Sequence, residues 1–167
     1  MEAGQHIVGA VSHSLAPTIE PLATLCASGV IERFPKLRFG SIEAGIGWLP
    51  WMLDAMDEAF LKHHIWVRPQ LKMKPSEYFR ANGFASFGED RAGLALIEEF
   101  GLQDNCLWAN DYPHHEGTWP HSAEAIERDM GALSEATLRK VLGENTARIF
   151  GFTELVEEYA AKHAQSA

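Results

Sequence analysis

Side chains that could carry chemistry are concentrated in residues 107–122, which read LWANDYPHHEGTWPHS. A short apolar run ends at Asn110 and Asp111, and the Tyr112-Pro113 pair that follows is typical of a turn. Three histidines and a glutamate come next, at His114, His115, Glu116 and His121. Imidazole and carboxylate groups can bind metals and can carry protons. The residues alone leave three interpretations open, which are a metal site, a substrate pocket and an ordinary polar loop.

Asp111 is the strongest single candidate in this stretch because it ends a predicted strand. The alternative for Asp111 is a turn aspartate whose side chain binds its own backbone. His115, Glu116 and His121 could form a local metal cluster. Their spacing matches neither HExxH nor a zinc-finger pair, which favours a surface loop.

The strands and helices that must position these residues follow from the hydrophobic pattern. We predict strands over residues 37–43, 83–88 and 105–109. Helices are predicted over residues 18–34, 49–60, 91–101, 123–131, 135–142 and 144–150, with a last one from Thr153. Residues 1–16 are predicted to be an irregular lead-in, and no helix brings its His6 and His13 together. Strands alternating with helices of this length are typical of a parallel sheet with right-handed crossovers.

A few residues mark where the predicted elements begin and end. Ser122 and Ser134 are predicted N-caps, and Gly143 is a predicted break between two helices. Residues 63–82 form a basic and aromatic stretch, in which two prolines argue against one continuous helix. The element pattern therefore predicts an α/β protein with the chemistry placed at strand ends.

Composition excludes several classes of function. The net charge of −9 disfavours nucleic acid and anionic membrane surfaces as partners, since both are bound through Lys and Arg. No apolar run approaches the ~20 residues that span a bilayer, and no signal peptide is visible at residues 1–10. The two cysteines, Cys26 and Cys106, are predicted to be buried and unpaired, which is consistent with a reducing cytoplasm.

Four blocks of the sequence resemble the amidohydrolase-related family of metal-dependent hydrolases and decarboxylases, the aminocarboxymuconate-semialdehyde decarboxylase-like group. They are GVIERFPKLRFGSIEAGIGWLPWMLDAMDE (29–58), KPSEYFRANGFASFGED (74–90), LWANDYPHHEGTWPHS (107–122) and KVLGENTARIFGF (140–152). The resemblance implies a TIM-type (β/α)8 barrel, usually of about 250 or more residues. It implies that the three predicted strands are strands 6–8, so that this single-domain chain holds a C-terminal half-barrel over residues 17–152 and a terminal helix over residues 153–167.

The resemblance also implies roles for particular residues. Asp111 matches the family aspartate that contacts the metal and its bound water, and Glu43 stands where many relatives carry a catalytic histidine. His114 is expected to support Asp111 or to touch substrate, although a solvent-facing loop histidine is the alternative. The family's HxH pair on strand 1 and its histidine on strand 5 have no counterpart in this sequence.

Three further residues are candidates for substrate contact, namely Trp48, Arg91 and Tyr112. Trp48, Trp51, Met52 and Met56 could form an aromatic pocket, but residues at this helical spacing more often belong to a core. Arg91 lies just after Glu89 and Asp90, and these residues could instead serve the start of a helix.

The expected function is therefore that of a metal-dependent hydrolase or non-oxidative decarboxylase acting on small carboxylated or cyclic compounds. The expected cofactor is a divalent metal, zinc in the first place and manganese in the second, which this chain alone ligates incompletely. The alternative is a non-catalytic half-barrel that needs a partner chain. Either interpretation predicts self-association or a complementary N-terminal half, because unpaired strand edges invite pairing.

Overall fold

The computed structural model describes residues 4–67 and 71–163. These residues form a mixed α/β structure with a small parallel sheet. Its elements in chain order are α1 (Gly4–Ala27), α2 (Val30–Arg33), β1 (Phe39–Ser41), α3 (Leu49–Val67), α4 (Pro75–Asn82), β2 (Gly83–Phe87), α5 (Arg91–Leu96), β3 (Cys106–Trp108), α6 (Ser122–Met130), α7 (Glu135–Arg139), a π-helical segment (Lys140–Glu144), α8 (Asn145–Phe150) and α9 (Thr153–His163).

The sheet contains the three predicted strands in the order β1-β2-β3, and both pairings are parallel. Ser41 of β1 pairs with Ala85 of β2, which in turn pairs with Cys106 of β3. All three strands therefore end at the same edge of the sheet. Residues that follow β1, β2 and β3 must converge there, which is how residues far apart in sequence come to form one site.

Helices packed against the sheet supply most of the core. Phe39 of β1 meets Phe79 of α4 edge to face, with ring centroids 6.0 Å apart. The buried Asn105 ties α4 to the sheet, because its Nδ2 donates to the carbonyls of Arg80 at 3.0 Å and Gly83 at 2.8 Å. Its backbone oxygen accepts from Ala85 N at 2.9 Å. These hydrogen bonds fix the positions of α4, β2 and the start of β3 relative to one another.

The N-terminal prediction is wrong over the residues that the structure describes. Residues 4–16 are part of helix α1 and do not form an irregular lead-in, and Pro17 and Pro21 lie inside that helix. The glycines, serines and histidines that suggested a loop cost a helix only tenths of a kcal/mol to about 1 kcal/mol each, so they are weak evidence against one. The helix predicted to reach residue 34 is instead interrupted at Gly29, whose φ of 72° is left-handed.

The C-terminal helices differ from the prediction in how they join. Gly143 does not separate two helices, because a π-helical segment that contains it connects α7 to α8. Ser134 caps α7 as predicted, with its side chain accepting from Thr137 N. Ser122 is already the first residue of α6, so the predicted cap is displaced by one position. Residues 164–167 of the predicted terminal helix lie outside the described residues.

The structure agrees with the expectations for the cysteines and the middle of the chain. Cys26 and Cys106 are buried and unpaired. Residues 63–82 do not form one helix, because α3 ends at Val67 and α4 begins at Pro75. Within the described ranges, no helix combines the length and the apolar character that crossing a bilayer requires.

Candidate active site

Glu43, Asp111 and His114 come together at the edge where the strands end. Each offers one potential ligand atom, and these atoms all lie within 4.8 Å of one another. Glu43 follows β1, while Asp111 and His114 follow β3. Glu43 and His114 are exposed and Asp111 is partly buried, so the group opens to solvent on one side. The structure thus brings together the three residues predicted as catalytic, whose roles stay predictions.

The backbone at both carboxylates has an unusual conformation. Glu43 has a φ of 63° and Asp111 a φ of 58°, the only positive values at non-glycine residues in the described parts of the chain. Left-handed conformations are uncommon for residues with a side chain and cluster at functional sites. At Glu43 the conformation is supported by a hydrogen bond from its N–H to Ser86 Oγ at 3.1 Å. Each carboxylate is thereby turned out of the strand direction and toward the other.

The loop after β3 is closed by its own backbone. Thr118 N donates to Asn110 O at 2.9 Å, and His114 N donates to Asp111 O at 2.9 Å. Gly117 allows this closure, because a Cβ at that position would lie 2.6 Å from Asn110 O. The loop therefore holds His114 over Asp111 without help from other elements.

His114 and Asp111 form an ion pair when the imidazole is protonated. His114 Nδ1 lies 3.0 Å from Asp111 Oδ1. The hydrogen bond with Asp111 and the charge of Asp111 raise the pKa of His114, with smaller contributions from Glu43 and Glu116. Asp111 thus holds one ring nitrogen and leaves the other free for a second contact.

A cleft of about 510 Å³ opens beside this cluster. It is lined from the ends of all three strands, and five carboxylates contribute to the lining, namely Glu43, Glu89, Asp90, Asp111 and Glu116. His114 is the one basic side chain in the lining, as far as the described residues show. The excess of carboxylates makes the cleft attractive to a cation.

Comparison with known proteins identifies the family to which this chain belongs. The family model described as Amidohydrolase matches residues 3–152. The chain belongs to the amidohydrolase family. The match covers both segments that carry the cluster, the turn after β1 and the loop after β3. The predicted family is thereby confirmed.

Solved structures of other family members resemble the fold. 5-Carboxyvanillate decarboxylase from Sphingomonas paucimobilis is 30% identical, with a TM-score of 0.62 over 77% of this chain and 38% of that chain. An amidohydrolase from Mycobacterium avium subsp. paratuberculosis K-10 is 25% identical, with a TM-score of 0.64 over 78% and 32%.

A third structure has a similar fold at lower identity. It is dihydroxybenzoic acid decarboxylase from Polaromonas sp. JS666 with bound manganese and the inhibitor 2-nitroresorcinol, which is 23% identical with a TM-score of 0.60 over 78% of this chain and 38% of that chain. This amidohydrolase chain therefore spans between about 32% and 38% of the lengths of these relatives. No curated protein matches it.

The three residues predicted to contact substrate lie around the amidohydrolase cleft and not in its lining. Trp48 Nε1 donates to the carbonyls of Ala44 at 2.8 Å and Gly45 at 3.0 Å, so it supports the turn after β1. Tyr112 is exposed and meets Trp119 edge to face at 5.2 Å. Their substrate contacts stay predictions.

Arg91 and the remaining histidines also lie apart from the cluster. Arg91 begins α5, and its charge lowers the pKa of Asp129 after the larger effect of Arg128. His115 and His121 are exposed and pair with neighbouring acids, Glu116 at 2.7 Å and Glu124 at 3.8 Å respectively. This agrees with the surface-loop interpretation. The side chains of His6 and His13 lie outside the described part of the structure.

Sequence reasoning missed Ser86, and it gave Asp90 a helix-start role with substrate contact as the alternative. Ser86 supports Glu43, and Asp90 accepts from backbone N–H groups of the turn after β1. The one available signal was an acidic residue directly between a strand and a helix, which is typical of an N-cap. Nothing local to Asp90 indicates the second set of contacts, since the donors lie more than 40 positions away.

Proposed function

We propose that this chain contributes the part of a divalent-metal site that contains Asp111, in a non-oxidative decarboxylase of small aromatic carboxylates. The observation that carries the proposal is the convergence of Glu43, Asp111 and His114 ligand atoms within 4.8 Å at the mouth of the cleft. The substrate class and the choice of decarboxylation over hydrolysis rest on the decarboxylases among the related structures.

The donor set fits a divalent metal. Two carboxylates and one imidazole supply three ligand atoms, the number that catalytic metal sites usually take from protein. Carboxylate-rich sets suit manganese, whereas zinc favours nitrogen and sulfur. We therefore place manganese before zinc, which reverses the order expected from the sequence. Asp111 and Glu43 would hold the ion through oxygen and His114 through a ring nitrogen.

A bound divalent ion acts as a Lewis acid on carboxylate or phenolate oxygens. When the bond between the ring carbon and the carboxylate breaks, carbon dioxide leaves and the ring carbon takes a proton. Solvent at the exposed side of the cluster can supply that proton, while Asp111 fixes the ring of His114.

The charge of the cleft supports the requirement for a metal. Arg128 pairs with Glu89, but Glu43 and Asp111 face the cleft with His114 as their one basic neighbour in the lining, so an anionic substrate would be repelled by the protein alone. A divalent cation held by Glu43 and Asp111 offsets part of that charge. Such an ion would offer the substrate carboxylate a coordination position at the mouth of the cleft.

The experiment that tests the proposal is a Mn²⁺ titration of the metal-free chain followed by electron paramagnetic resonance. We expect binding to the wild type and at least about a tenfold loss of affinity in Asp111→Asn. Asp54→Asn, a matched change at an exposed position on α3, should bind like the wild type. Absence of binding by the wild type, or equal binding by Asp111→Asn, would contradict the proposal and favour a non-catalytic chain.

Metal-loaded protein should then be assayed with hydroxylated aromatic carboxylates for release of carbon dioxide. Hydrolysis of amide and lactone substrates should be measured in parallel. Turnover of the carboxylates that disappears in Asp111→Asn supports the decarboxylase assignment. Turnover of only the amide or lactone substrates would assign a hydrolase at the same site.

A further inference from the structure

Asp90 connects two of the turns that form the cleft. Its Oδ2 accepts from Ile46 N at 2.6 Å and from Gly47 N at 2.7 Å, and its Oδ1 accepts from Gly93 N at 2.9 Å. The bond to Gly93 caps α5. The other two bonds reach the turn that directly follows Glu43. Capping needs one oxygen, so the second oxygen serves a different purpose.

The turn after β1 is shaped to receive this carboxylate. Gly45 has a left-handed φ of 66°, and a Cβ there would lie 2.8 Å from Asp90 Oδ2. A Cβ on Gly47 would lie 2.9 Å from Asp90 Oδ1 and 3.3 Å from the Cβ of Ala92. Side chains at either position would push the carboxylate away from the backbone N–H groups that it binds.

A second contact from β2 acts on the same segment. Ser86 Oγ accepts from Glu43 N at 3.1 Å. The segment that carries Glu43 is therefore fixed at two points, one at Ser86 in β2 and one at Asp90, the N-cap of α5. Hydrogen bonds to a charged acceptor are roughly twice as strong as neutral ones, which makes Asp90 the stronger of the two.

We propose that Asp90 is a positioning residue for the candidate metal site. Its carboxylate holds residues 44–47 against the end of β2. The held turn keeps Glu43 beside Asp111 and His114. The role rests on the proposed function, because the site that Asp90 serves is the metal site described there. Both oxygens of Asp90 are engaged by backbone N–H groups, so it serves the turn and does not act on substrate.

The variant Asp90→Ser separates the two tasks of this side chain. Serine is a good N-cap, so the bond to Gly93 can be replaced. Its single hydroxyl cannot also bind Ile46 and Gly47. The matched control is Ser134→Ala, which removes the N-cap of α7 away from the cleft.

Two measurements should be made on each variant, namely amide hydrogen exchange at residues 43, 46 and 47 and the Mn²⁺ dissociation constant. In Asp90→Ser we expect faster exchange at all three amides. We also expect Mn²⁺ affinity to fall about 10–100-fold, the usual effect of losing a residue that orients a metal ligand. Ser134→Ala should change neither quantity. Unchanged exchange at Glu43, or unchanged Mn²⁺ affinity despite faster exchange, would overturn the proposal.

Gly47→Ala provides an independent test through a double-mutant cycle. In the wild type the new methyl group competes with Asp90 Oδ1 for space, so Mn²⁺ affinity should fall. In the Asp90→Ser background that oxygen is absent, so the same change should lower the affinity much less, and the remaining effect would come from the 3.3 Å approach to the Cβ of Ala92. If each substitution lowered the Mn²⁺ affinity by its own factor, and the double variant showed the product of the two factors, the proposed contact would be contradicted.

A failure of the proposed function would be distinguishable from a failure of this inference. If the wild type binds no Mn²⁺, the metal site is refuted. The contact between Asp90 and residues 44–47 is then tested by amide exchange alone. Faster exchange at Glu43 in Asp90→Ser would then support Asp90 as the residue that positions Glu43. Unchanged exchange would refute that role as well.

Discussion

His114 Nδ1 and Asp111 Oδ1 lie 3.0 Å apart across a turn that both residues help to close. Because the two side chains belong to one short loop, their relationship does not depend on the remainder of the sheet. Glu43, which comes from a different strand, reaches the pair only because the sheet is parallel and all its strands end at one edge. The site thus combines one local contact with one long-range contact.

The pKa of His114 should depend on Asp111. Asp111 provides the two largest contributions that raise this pKa, so Asp111→Asn should lower it toward the ordinary value of 6.5. A histidine pKa raised by folding stabilises the fold fully below pH 6.5, and that stabilisation is lost as pH rises through the raised value. An NMR titration of the metal-free protein measures the shift, with Asp54→Asn as control. An unchanged His114 titration in Asp111→Asn would refute the pairing.

Replacing Asn105 should destabilise the fold strongly. Its buried Nδ2 donates to the carbonyls of Phe79, Arg80 and Gly83, and Asn105→Asp would set a carboxylate oxygen against them. A buried polar group that loses its partner costs about 1–3 kcal/mol. We expect the free energy of unfolding in urea to fall by about 3 kcal/mol or more. The exposed neighbour Asp104 is the control, and a loss in Asn105→Asp no larger than in Asp104→Asn would contradict this role.

The two cysteines should be protected from thiol reagents in the folded protein. Burial raises the pKa of Cys26 to about 12 and that of Cys106 to about 12, so neither forms the reactive thiolate near neutral pH. Labelling with a disulfide reagent should be slow in buffer and complete in denaturant, which can be followed by absorbance. Rapid labelling of either thiol in buffer would show that the core around it opens readily.

Glu32 should make stability sensitive to acid. The buried Tyr78 donates its hydroxyl to Glu32 and also accepts from Lys72 N at 3.0 Å. The Tyr78 hydrogen bond, followed by those of Lys72, lowers the pKa of Glu32 from 4.5 to about 2. The depressed pKa stabilises the fold above about pH 4.5, and this contribution is lost as pH falls toward about 2.

Unfolding free energies measured at about pH 7 and about pH 3 would test this effect. Glu32→Gln should be less stable than the wild type at the higher pH, and the difference between the two proteins should shrink at the lower pH. The exposed Glu99→Gln is a suitable control. An equal difference at both pH values would exclude Glu32 as the source of acid sensitivity.

The parts of this structure that depend on local pattern were predictable, and those that depend on distant partners were not. The apolar runs located all three strands, and Ser134 was recognised as a cap because its contact to Thr137 is three residues away. The resemblance singled out Asp111, Glu43 and His114. It could not supply the left-handed conformation of Glu43, because that conformation is supported by Ser86, 43 positions later.

The same distinction explains the errors. The placement of the strands as numbers 6–8 of a barrel stays a prediction. The predicted lead-in failed because helix propensity is a weak guide, and residues such as glycine and serine disfavour a helix by too little to exclude one. Substrate contacts for Trp48, Arg91 and Tyr112 also stay predictions. Side-chain direction at strand ends is set by backbone dihedrals that the sequence does not reveal.

The left-handed backbone at Glu43 and Asp111 has a consequence for how this protein can evolve. Both positions place an ordinary residue in a conformation that glycine or asparagine occupies with less strain. Glu43→Gly should therefore fold at least as well as the wild type, and Asp111→Asn should do so above the raised pKa of His114, where the ion pair no longer contributes, as thermal melts would show. A copy of this chain released from selection for chemistry would lose its two carboxylates first and keep its fold. Retention of both acids in a lineage is then a sign that the chemistry is still in use.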